Sequence, residues 1–181
     1  FDDDEYGGDT NNDATSTVPI SGSWFGVEIL SPGSSFDNTI FRYGGKYYNS
    51  MDNSMANLNI KNAPVAIANS IFEYSKVYGL RLINSTSTIF NSNFRNNSAE
   101  NGSTGLSLEA GSSVLVQSSS FSNNRIGVSY SNSPIQLQNV RFENNTLFGI
   151  AADSLSASMP ISVSSVEFFG AGATTSPSGL W

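Results

Sequence analysis

The chain has 181 residues, a formal net charge of −7, a charged share of only 13%, and neither cysteine nor histidine. That length fits one domain with a sizeable core, while the missing residue types exclude disulfides, zinc thiolates and thiol nucleophiles and remove the commonest general base and transition-metal ligand. Acidity without a Lys/Arg cluster makes nucleic acid a poor partner, and no apolar run approaches the roughly 18 residues of a membrane span, so no membrane insertion is expected.

Residues 1–23 read as an acidic lead-in loop rich in Asp, Gly and Thr, ahead of a repeat region over 24–181. Asp2, Asp3, Asp4 and Glu5 open it, and Asp9, Asn11 and Asp13 set oxygen ligands at alternate positions, as the start of a calcium loop does. Ala14 and Ile20 stand where an EF-hand needs its Gly and its bidentate Glu, so this is not an EF-hand. Calcium held by Asp9, Asn11 and Asp13 would relieve the crowding of carboxylates; a solvated acidic loop is the alternative.

From Trp24 onward one pattern recurs. Phe41, Phe72, Phe94, Phe121, Phe142 and Phe168 follow one another at intervals of 31, 22, 27, 21 and 26 residues, a base period of 21 to 22 with insertions. Five positions before each Phe stands Phe36, Ile67, Ile89, Val116, Leu137 or Val163, the alternation of a strand with one buried face. Three before each comes Asn38, Asn69, Asn91, Ser118, Asn139 or Ser165. Stacked coils would turn these into a ladder of amides, expected to be buried at a corner and bonded from coil to coil.

A second polar corner follows the Phe, at Asn96 and Asn97, Asn123 and Asn124, and Asn144 and Asn145. Then Gly79, Gly105, Gly127 and Gly149 each precede an aliphatic residue, where a corner needs either positive φ or close approach. Antiparallel neighbours would reverse the phase in alternate segments, whereas a parallel solenoid keeps it. The pattern therefore predicts an all-β solenoid of about six coils, each with two or three short strands, rising roughly 29 Å at about 4.8 Å per coil.

These coils resemble those of right-handed parallel β-helix proteins, which read aliphatic-x-aliphatic-x-Asn-x-x-Phe-x-Asn-Asn and then Gly-Ile. The resemblance runs from about Trp24 to Phe169, and the lead-in with Trp24, Phe25, Gly26 and Val27 looks like a segment of large bacterial extracellular β-helix proteins. It implies a right-handed helix and an extracellular or cell-surface location. Pectate lyases, polygalacturonases and pectin methylesterases share this fold, so an enzyme of this resemblance would be a polysaccharide lyase or glycoside hydrolase. Five of the eight Asp, however, lie before the first coil, and the repeats lack a carboxylate cluster suited to acid/base work.

Two further features remain. Arg42, Glu73, Arg95, Ser122 and Glu143 each follow a ladder Phe, so stacking would set Arg42 and Arg95 against Glu73. That is either the floor of a groove for a charged sugar or an outward ladder worth at most about 1 kcal/mol per pair. Tyr43, Tyr47 and Tyr48, in "FRYGGKYY", make a candidate sugar platform, with coverage of an insertion as the alternative. The expected function is a structural or adhesive module whose partners are adjacent coils of a parent chain or another copy stacked head to tail. The alternative is a carbohydrate-binding or polysaccharide-degrading domain.

Overall fold

A computed structural model of the chain describes residue 12 and residues 18–46, 56–152 and 160–170. The first coil carries β1 (Val27–Ile29), β2 (Ser35–Asp37) and β3 (Ile40–Arg42), and the second β4 (Ala56–Lys61), β5 (Val65–Ala68) and β6 (Ile71–Glu73). The third has β7 (Tyr78–Ile83), β8 (Thr86–Phe90) and β9 (Asn93–Arg95), and the fourth β10 (Thr104–Glu109), β11 (Ser113–Gln117) and β12 (Ser120–Ser122). In the fifth, β13 (Ile126–Tyr130) leads to one long strand, β14 (Ile135–Glu143); the sixth has β15 (Phe148–Ala152) and another long strand, β16 (Ile161–Phe169).

Every described pairing is parallel and joins one coil to the next. A first sheet stacks six strands in the order β1-β4-β7-β10-β13-β15. A second face stacks β2, β5, β8 and β11, a third stacks β3, β6, β9 and β12, and β14 and β16 run through both. The all-β parallel solenoid expected from the repeat is the fold found, with three strands in each of the first four coils and two in the fifth and sixth.

The recurring Phe residues form one internal stack. From Phe41 through Phe72, Phe94, Phe121 and Phe142 to Phe168 the ring centroids are 5.1, 4.8, 4.7, 5.1 and 5.0 Å apart and nearly parallel. Those spacings are close to the strand spacing itself, so the backbone repeat imposes the aromatic one. Leu80, Leu106 and Val128 on the first sheet and Ile89, Val116 and Leu137 on the second close the core around it.

The turning is done by asparagine. Asn38, Asn69, Asn91, Ser118, Asn139 and Ser165, between the second and third faces, all have φ between 47° and 55°. Asn62, Asn84, Ala110 and Asn132 do the same between the first and second, and Tyr43, Tyr74, Asn96, Asn123 and Asn144 between the third and first. Asn tolerates this left-handed conformation better than other side-chain-bearing residues.

Here the expected burial is corrected. The Asn three before each Phe is exposed, because a left-handed corner turns its side chain outward; Asn91 donates to Asn69 at 2.7 Å, and Asn69 to Asp37 at 2.7 Å, on the surface. The buried amide column is the other one, Asn97, Asn124 and Asn145. Asn124 Nδ2 donates to Phe94 O and Asn145 Oδ1, while its Oδ1 accepts from the backbone N–H and Nδ2 of Asn97. Serines serve the remaining corners: Ser92 Oγ accepts from Ser70 N at 3.1 Å and donates to Phe90 O at 2.9 Å.

The glycine column works by close approach, not positive φ. A Cβ on Gly105 would lie 2.8 Å from Gly127 O and 3.1 Å from Phe94 Cβ. Opposite Gly79 in the second coil stands Asn57, which donates to Phe41 O and Glu73 O and accepts from Gly44 N at 2.7 Å. Asn and Gly have exchanged places there, since Gly44 occupies the corner that Asn97 occupies two coils on. The amide arrives from the opposite side and satisfies the same class of backbone groups.

Candidate functional site: the outer face of the first sheet

The coils are not equally dressed. Outward side chains of the second face, such as Ala66, Thr88, Phe90 and Gln136, are exposed, as expected of a solenoid surface. On the first sheet the outward row Asn59, Arg81, Ser107, Ser129 and Ala151 is buried, each residue at most 9% exposed. Insertions fall at the corners flanking this sheet, after β3, β9 and β15, while the corner between the second and third faces is two residues long in each of the first four coils.

Across the third to fifth coils this face carries a half-open pocket of about 580 Å³, lined in equal part by polar and apolar surface that includes Tyr78, Ser107, Leu108, Glu109, Ile126 and Ser129. Arg81 donates to both oxygens of Glu109, at 2.8 and 2.7 Å, and the Ser107 hydroxyl donates to the same carboxylate at 3.1 Å. The guanidinium also lies 5.5 Å from the centre of the Tyr78 ring. One coil below, Lys61 pairs with Glu28 at 2.6 Å and Asn59 donates to Glu28 at 3.2 Å, leaving Asn59 Oδ1 buried without a partner. Arg–carboxylate pairing in this bidentate form fixes both side chains and cancels their charge.

Of the residues singled out in the sequence, Arg42, Glu73 and Arg95 do come together, at 4.0 and 2.7 Å. The expected outward ladder is corrected in one respect: the Glu73 side chain is only 6% exposed, shut in between the two arginines. Tyr43 stacks on Tyr74 at 5.3 Å, and Arg42 lies 5.6 Å from its ring centre. Tyr47 and Tyr48 lie outside the described residues, as do Asp9, Asn11 and Asp13. Among the described residues no three acidic side chains meet in a metal-holding group, and no helix is long and apolar enough to cross a membrane.

The Arg81–Glu109 pair does not follow from the repeat, because its partners occupy different positions in their coils, unlike Arg42 and Glu73. A signal exists once register is known: Arg81 stands opposite Ser107 and Ile83 opposite Glu109, so the pair is a diagonal between adjacent strands.

Parallel pairing at a fixed phase defines the class, a β-solenoid with three faces. The family model described as right handed beta helix region matches residues 11–175. The chain belongs to that family. No curated protein and no solved structure matches it.

Proposed function

We propose that the chain is a structural or adhesive β-helix module of an extracellular or cell-surface protein, working by continued stacking of coils. One observation carries this reading. The sixth coil keeps every column in phase, with Ile161, Val163, Val166 and Phe168 over Ile135, Leu137, Val140 and Phe142, yet among the described residues β16 pairs on one side only. Val163 is 50% exposed, whereas Leu137 beneath it is fully buried. A nine-residue edge of unpaired N–H and C=O groups beside a half-covered core is a template for one more parallel coil. That coil belongs either to the rest of a longer chain or to a second copy, and a head-to-tail contact that does not close gives a filament.

The test is sedimentation of the isolated 181 residues over a concentration series, with electron microscopy of the same samples. Mass rising with concentration, and abolished by Val163→Lys in the edge strand, is the expected result. A soluble monomer at every concentration would reject coil stacking.

A further inference from the structure

We infer that the open end of the solenoid docks a second copy of the chain tail to tail, with β16 antiparallel to the partner's β16 about a two-fold axis. This rests on the reading of that edge as a template and names its occupant. The first coil offers no comparable edge. Of the residues five before each ladder Phe, only the first is aromatic, and Phe36 meets Phe41 edge-on, at 5.2 Å and 80°, across the end of the stack. Phe41 is buried, whereas Phe168 at the other end is only half-buried. Backbone groups are engaged there too: Trp24 Nε1 donates to Arg42 O in β3 at 2.8 Å, and Gly22 N and Ser23 N donate to Tyr43 O at 3.0 and 2.9 Å. A copy arriving head to tail would have to displace these contacts.

The edge of β16, by contrast, is complementary to itself. Its inward side chains are Ile161 and Val163 before the left-handed corner at Ser165, and Val166 and Phe168 after it. A two-fold axis through the peptide joining Ser164 and Ser165 sets Ile161 opposite the partner's Phe168 and Val163 opposite the partner's Val166. The apolar core then runs on from one copy into the other, and the half-exposed Val163 is covered. The outward row matches as well. Glu167, the one charged side chain of β16, falls opposite the partner's Ser162, so two acidic chains meet without facing carboxylates across this pair of strands. Antiparallel pairing satisfies the edge N–H and C=O groups of both copies. The same patch is used on each side, so the contact closes at a dimer.

Because the chain has no cysteine, engineered thiols report the geometry. Ser162→Cys combined with Glu167→Cys, both exposed positions, places thiols opposite each other across the joint at a separation a disulfide accepts. Mild oxidation with diamide should give a covalent dimer and nothing larger. Ser35→Cys combined with Ser162→Cys serves as the contrast, since these residues share one column along the solenoid and would touch only head to tail. That pair should stay unlinked. Sedimentation of the unmodified chain should level off at twice the monomer mass, and Val163→Lys should hold it at the monomer. A ladder of multimers from the Ser35 pair, or mass climbing past the dimer, would overturn the two-fold contact while leaving coil stacking in place. A dimer that the Ser162 and Glu167 thiols fail to link would also overturn it. A monomer at every concentration would remove both readings.

Discussion

Two columns of asparagine run along this solenoid, and they act by opposite means. Asn69, Asn91 and Asn139 sit outside, at corners with φ near +50°, and bond to one another or to their neighbours in water. Asn97, Asn124 and Asn145 sit inside, where each amide satisfies backbone groups of adjacent coils that the bend has taken out of the sheet. The outer column is selected for backbone conformation and the inner one for hydrogen bonding. Sequence spacing alone treats them as the same kind of residue.

The comparison breaks most sharply at Asn124. Asn124→Leu should cost about 4 kcal/mol in urea unfolding, because Asn97 N, Asn97 Nδ2 and Phe94 O lose their partner in a buried place. Asn124→Gly should be nearly as damaging, and an outcome within 1 kcal/mol of wild type would deny the inner column its role. Next comes Gly105→Ala, expected to cost about 2 to 3 kcal/mol, since the new methyl would press on a carbonyl and two Phe side chains.

The same contrast between inside and outside applies to charge. Glu73→Gln removes a buried carboxylate from between Arg42 and Arg95 and should lower stability by about 2 kcal/mol. Glu143→Gln, in the exposed pair with Arg141, should change it by less than about 0.5 kcal/mol. A smaller effect belongs to the outer asparagines. Asn91→Leu should cost about 1 to 2 kcal/mol through its left-handed backbone, while Asn91→Gly should be close to neutral. Equal losses from both Asn91 variants would show that the surface amide bond, not the backbone, is what the position needs.

Much of the architecture was legible in order along the chain. Phe at constant phase required parallel stacking, and the Arg42, Glu73 and Arg95 contacts followed from register alone. The candidate site was not legible in that way. Ser107 and Ser129 are ordinary residues in a serine-rich chain, and nothing in the spacing shows that the outward row of the first sheet is buried while that of the second is exposed. Tyr43 was visible as an aromatic, but its contact with Tyr74 depends on two bulky residues sharing a left-handed corner that other coils give to Asn.

What the sequence by itself determined is the repeat: which side chains face the core, that neighbours are parallel, and that each coil turns at small polar residues. These depend on local periodicity, and any coil stacked in register must satisfy them. Only the tertiary structure decided which asparagines are buried, that Asn57 and Gly44 exchange the roles of Asn and Gly, and that Arg81 meets Glu109 over a pocket. Those outcomes depend on the direction in which each corner points its side chain and on what the adjacent coil sets against it, and neither is a property of one segment read alone.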